Sequence, residues 1–167
     1  MSNEALPTAL PQGRLQGRTA FQQAVRDALL TAGREGWREI IVCDASFADW
    51  PLGERAVAKA LQDWSRSGRR FVMMAMGYEG LPRWHARFVI WRQTWDHIIE
   101  CRTCRGSDAS SFPSVFWGPS WVMQRVDTKQ DVLLCDHQAA RRVALRQLLD
   151  ECHRDSSPGF PASVLGL

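Results

Sequence analysis

Two short, uninterrupted apolar runs constrain this chain more than any other feature. One is Ile40-Ile41-Val42-Cys43 after Glu39; the other is Phe71 to Met76. A strand with one wet face alternates apolar and polar residues, whereas a strand apolar at every position is covered on both faces. Each run is strand-sized, and an amphipathic pattern precedes it. The pair therefore predicts α/β architecture, with parallel strands joined by crossover helices.

The rest of the chain fits around that frame. Thr19 and Gln22 form a capping-box pattern, and Phe21, Val25, Leu29 and Ala32 recur at helical spacing after them. This predicts a helix over 19–33, closed near Gly33 or Gly36, before a strand over 38–43. Val57, Leu61 and Trp64 predict a second helix over 54–67, ended by Ser67-Gly68. Pro82 suits a first helical position, and Leu81, Trp84, His85, Phe88, Trp91 and Trp95 share a broad face after it. A third strand is predicted over 97–102, a loop over 103–114, and two more strands over 115–126 and 132–135. Asp136 caps a last helix over 137–152.

The resulting expectation is a mixed, mainly parallel sheet of about five strands with helices on both faces. One α/β domain over 18–153 suffices for 167 residues. Residues 1–17 read as a flexible lead-in and 154–167 as a tail, each holding two prolines or more and two glycines or more. No apolar run approaches the roughly 20 residues that cross a bilayer, and the Met-Ser-Asn-Glu start has no secretory pattern. The five cysteines are odd in number, and some fall in apolar strands. A reducing, cytoplasmic location is expected.

Charge is uneven. Residues 55–105 hold ten Arg or Lys against four Asp or Glu, within a chain of net charge +3. Nineteen of the 21 basic residues are Arg, whose planar forks suit phosphate. Arg83, Arg87, Arg102 and Arg105 form the candidate anion surface, with phosphate ligands or nucleic acid as possible partners. Eight tryptophans serve either core or interface.

Site motifs are sparse. Asp44 ends the first predicted strand, where open α/β sheets bind ligands, and Asp49 lies in the loop after it. His85 between Arg83 and Arg87 is a candidate phosphate contact. His97, Cys101 and Cys104, with Cys135 or His137, have soft-ligand chemistry, but their spacing matches no common zinc pattern, and no metal is expected. Gly77-Tyr78-Glu79-Gly80 is not a dinucleotide fingerprint, and no Gly-x-x-x-x-Gly-Lys run exists. No cofactor is expected.

Three segments carry a family resemblance. They are Glu39–Asp44; Ala60–Trp64 with Ser67–Met74; and Trp95–Arg102. Over about 19–150 the chain resembles one half of a phospholipase D-like (PLD-like) fold, and more narrowly the small PLD-like domains of uncharacterised bacterial proteins. Active members of that superfamily carry His-x-Lys-x-x-x-x-Asp, whose histidine attacks phosphorus while the lysine holds the non-bridging oxygens. Here the only His-x-basic match is His85-Ala86-Arg87, and Arg92 stands where the aspartate is required. The resemblance therefore implies a non-catalytic domain that binds a ligand or pairs with itself, as a homodimer. Two alternatives stand beside it: a phosphate or nucleic-acid binding module, and an enzyme of another type with its site near Asp44.

Overall fold

The computed structural model describes residues 9–106 and 108–162. In chain order its elements are β1 (Gly13–Gln16), α1 (Arg18–Glu35), β2 (Glu39–Cys43), α2 (Arg55–Ser65), β3 (Arg70–Ala75), α3 (Leu81–Trp84) and α4 (Ala86–Thr94). There follow a 3-10 turn (Asp96–Ile98), β4 (Ile99–Thr103), β5 (Val115–Trp117), β6 (Val122–Asp127), β7 (Val132–Asp136), α5 (Ala139–Arg154) and β8 (Ser157–Pro158).

All eight strands join one sheet, ordered β1-β7-β6-β5-β2-β3-β4-β8. Only β2–β3 and β3–β4 are parallel; the other five pairings are antiparallel. The expected five-stranded, mainly parallel sheet is thus corrected to an eight-stranded, mostly antiparallel mixed sheet. The parallel half follows the crossover rule, through α2 and then α3–α4. From β4 the chain then returns to the opposite flank of β2, where β5, β6 and β7 run as successive hairpin partners.

The additional strands arise at particular places. Residues 115–126 read as one strand because apolar residues flank Gly118-Pro119-Ser120, yet the chain reverses there and Gly118 N–H donates to Trp121 O at 2.9 Å. Gly118 is required at this turn, because a Cβ would fall 2.3 Å from the Trp37 ring. Gly13–Gln16, inside the segment read as a lead-in, pairs with β7, and Ser157–Pro158, inside the tail, pairs with β4. Both strands are too short and polar to show a period.

Alternation splits the core between two faces. Ile40, Val42, Phe71 and Met73 pack with α1, α2 and α4. Ile41, Cys43, Val72 and Met74 pack on the other face with Leu145 and Leu149 of α5. Most tryptophans are core: Trp37, Trp50, Trp64, Trp91, Trp117 and Trp121 are buried. The expected single face through Trp84, Trp91 and Trp95 is broken at His85, whose backbone (φ −134°, ψ 55°) separates α3 from α4 and leaves Trp84 46% exposed.

Candidate functional site

The carboxyl end of β2 abuts the start of β5 and the middle of β6. Cys43 pairs with Val115, and Arg125 N–H donates to Ser114 O at 2.8 Å. Arg125 shares strand parity with Met123, so its side chain enters the face covered by α1. A bulge between Arg125 and Asp127 ends the regular pairing there.

Two loops deliver three carboxylates to this buried guanidinium. Asp44 follows β2 directly and accepts Arg125 Nη2 at 2.9 Å. Its other oxygen accepts the Ser46 and Phe47 N–H groups at 3.2 and 2.9 Å, which turns the chain sharply. Asp49, further along the same loop, accepts Nη1 at 2.6 Å and Nη2 at 3.1 Å. Asp131, in the left-handed region (φ 50°) before β7, accepts Nη1 at 2.9 Å. Nε donates to Ser114 Oγ at 3.1 Å. Arginine has five N–H donors, and these five bonds employ all of them.

Electrostatics follow from that geometry. Burial works against the charge of Arg125, but Asp49, Asp44 and Asp131 outweigh it and hold the guanidinium above its ordinary range. Arg18, the first residue of α1, adds a second cation: its Nε lies 3.0 Å from Asp131 and its Nη2 3.5 Å from Asp49. Two cations thus face three carboxylates. Above them lies an open depression of about 530 Å³, lined in part by Arg18, Asp49, Ser110 and Lys129.

His85 is tied to the same loop from behind. Its Nε2–H donates to Phe47 O at 2.7 Å, where Phe47 holds a positive φ of 60°. Nδ1 is buried without a partner. Burial pushes the imidazole pKa down, against the pull of the Phe47 carbonyl. Gly53 closes the loop over this ring; a Cβ there would fall 2.6 Å from Trp84 O.

The predicted residues therefore divide. Asp44 and Asp49 meet, and His85 supports their loop. Arg87 donates to Gly53 O at 2.8 Å. Arg102 is occupied by Ser156, through Nε to Oγ at 2.8 Å and Nη2 to the carbonyl at 2.9 Å. Arg83 and Arg105 are exposed. The four arginines thus serve different neighbours. Cys101 and Cys135 pack on the face opposite Cys104, and among the described residues no three His, Cys, Asp or Glu side chains are grouped to hold a metal ion. No helix among them is long and apolar enough to cross a membrane.

Sequence reasoning missed Arg125, Asp131 and Arg18. One signal was available: an arginine at the parity of Met123 in an apolar strand must find a buried acid.

Comparison with known proteins bears on the fold. No protein-family model matches the sequence, and no curated protein matches it. Among solved structures the chain is similar to TrmBL2, described as an archaeal chromatin protein with a novel mode of DNA binding, at 14% identity and TM-score 0.63. That match covers 87% of this chain and 53% of the other, so the chain spans about half the length of TrmBL2. It is similar to Nuc, a phospholipase D family member from Salmonella typhimurium, at 11% identity and TM-score 0.54, over 81% of this chain and 91% of Nuc. NucT from Helicobacter pylori matches at 9% identity and TM-score 0.54, over 87% of this chain and 97% of NucT.

The chain's fold is similar to that of a phospholipase D family member. At these identities the likeness is one of fold alone. In this chain the end of β2 carries the Arg125 cluster, and no histidine contacts that guanidinium.

Proposed function

We propose that this chain is a non-catalytic PLD-like domain that works by binding, most simply to a second copy of itself. The observation behind this reading is the saturation of Arg125. A phosphoryl-transfer site needs a nucleophile and an anion holder with donors to spare. Here all five donors end on the protein's own acceptors, which leaves the guanidinium no donor for a phosphate. The same pairing weighs against an unrelated enzyme centred on Asp44. Exposed apolar side chains favour a binding role: Trp84 is 46% exposed, Val143 56% and Ile90 62%. Five free thiols favour a reducing, cytoplasmic setting.

The test pairs two measurements on the purified chain. Hydrolysis of bis(p-nitrophenyl) phosphate should stay at the buffer rate, and light scattering should report twice the monomer mass. Turnover that disappears in His85→Ala or His137→Ala would overturn the reading. A monomer at all concentrations would remove self-pairing from it.

A second reading is nucleic-acid binding. The basic excess over 55–105 and the fold likeness to TrmBL2, which binds DNA by its description, favour it. It requires oligonucleotide affinity that falls steeply with salt. A salt-independent or absent signal excludes it.

A further inference from the structure

The outer sides of α1 and α2 enclose a groove that plays no part in the Arg125 cluster. Residues 36–38 lead from α1 into β2, and residues 66–69 lead from α2 into β3. β2 and β3 are parallel, and both helices pack on one face of the sheet, so α1 and α2 run side by side in the same direction. They approach closely at Gly33, where a Cβ would lie 3.6 Å from the Trp64 backbone nitrogen. The groove above that contact holds about 410 Å³, between Leu29, Leu30, Gly33 and Arg34 of α1 and Ala60 and Asp63 of α2.

The floor of the groove is apolar and its rims are charged. Leu29 and Ala60 are buried, whereas Leu30 on the α1 rim is 55% exposed. Asp27 stands three residues before Leu30 and Arg34 four after it, so helical spacing sets all three on one side of α1. Toward the carboxyl end, α1 therefore presents acid, leucine and base. Over the same direction α2 presents Lys59, Ala60 and Asp63: base, alanine and acid. The Lys59–Asp63 pair, at 2.7 Å, is well exposed on its lysine side, and such a pair holds its members weakly. Among the described residues the Arg34 guanidinium donates to Thr31 Oγ1 at 3.3 Å, with one of its five N–H groups.

We infer that this groove is the surface on which two copies of the chain pair. The inference rests on the self-pairing proposed above and gives it a place. A twofold axis lying along the groove sets α1 of one copy over α2 of the other, with their directions kept. Arg34 then meets the partner's Asp63, Asp27 meets the partner's Lys59, and Leu30 covers the partner's Ala60. The axis repeats each contact, so one face supplies both halves of every pair, as an isologous interface requires. Like charges placed opposite each other exclude wrong partners. Asp27 and Asp63 on the rims therefore disfavour a phosphate backbone, while a second copy answers each sign.

The experiment measures mass by light scattering on the full chain over a concentration series, with circular dichroism to check folding. The unsubstituted chain should run as a dimer. Leu30→Asp and Arg34→Asp should each raise the dimer dissociation constant about tenfold or more. Arg34→Asp combined with Asp63→Arg exchanges the signs and should restore pairing. These two surface variants decide the matter even if Leu30→Asp misfolds. A dimer unmoved by Leu30→Asp and Arg34→Asp overturns the groove and leaves self-pairing elsewhere standing. An exchange no better than Arg34→Asp alone also overturns it. An unsubstituted chain that is monomeric throughout removes the groove and self-pairing together.

Discussion

The guanidinium of Arg125 lies 4.1 Å over the centroid of the Phe21 ring. That contact covers a face of the guanidinium, which its in-plane hydrogen bonds leave open, and it joins α1 to β6 through a charge. A cation over an aromatic face gains most when both are desolvated, and the Arg125 side chain is only 2% exposed. The cluster is therefore an internal brace for the sheet end.

Removing the guanidinium strands Asp44, Asp49 and Asp131 together. Arg125→Met should destabilise the protein by about 3–5 kcal/mol, the range for breaking a buried pair from one side. Arg125→Lys should recover little, because one ammonium cannot replace a five-donor fork. Urea denaturation of the three proteins measures this. A loss below about 1 kcal/mol for Met would remove the brace from the account.

Arg18 serves as the contrast. It touches the same carboxylates but is 53% exposed. Arg18→Ala should cost at most about 1 kcal/mol, and the cost should shrink in high salt. Equal costs for Arg18→Ala and Arg125→Met would contradict the burial argument.

His85 gives the fold a pH dependence of definite sign. Burial lowers its pKa, so the folded protein favours neutral imidazole. As pH falls below the ordinary value of about 6.5, the unfolded chain takes the proton first. Stability from this residue is complete above that value and is lost as pH falls toward the lowered folded one. Melting temperature should decline over this window in the natural sequence and flatten in His85→Gln. The same decline in both would assign the effect elsewhere.

Gly53 packs edge-on against the turn at His85. A methyl group there meets backbone, Trp84 O at 2.6 Å, which cannot swing away as a side chain can. Gly53→Ala should cost about 1–3 kcal/mol through overpacking. Thermal unfolding would show it, and an unchanged midpoint would mean the loop yields freely.

The strap after α5 shields an edge. β8 covers β4, Phe160 stacks on Tyr78 at 5.3 Å, and Arg92 donates to Phe160 O at 3.2 and 3.3 Å. A chain ending at Asp155 would bare the β4 edge, and bare edges pair with other chains. Size-exclusion chromatography should show added self-association. An unaltered elution profile would mean that something else guards that edge.

The sequence disclosed β2 and β3 because their apolar runs are unbroken, and α1, α2 and α5 because their helical periods are long. It hid β1 and β8 because four residues and two residues display no period. It hid the β5–β6 reversal because Val115-Phe116-Trp117 and Trp121-Val122-Met123 read through the turn. Half the cluster was visible: strand-end logic found Asp44 and Asp49. Arg125 is 81 residues from Asp44 and 76 from Asp49, and no local pattern spans that distance. The arginines that did stand out, Arg83, Arg87, Arg102 and Arg105, were conspicuous by density alone, which says nothing about which of them already have partners.

The pairing of β1 with β7 has a consequence for how the molecule is made. Gly13 meets Cys135 and Gln16 meets Val132, so the two ends of this ladder emerge from the ribosome far apart in time. The four-residue opening strand waits through synthesis of nearly every other strand before its partner exists. Closing so long a loop costs entropy that only a preformed neighbour repays. The β1–β7 ladder therefore closes only after β7 has been made, and a nascent chain stalled before β7 holds β1 with nothing to zip against.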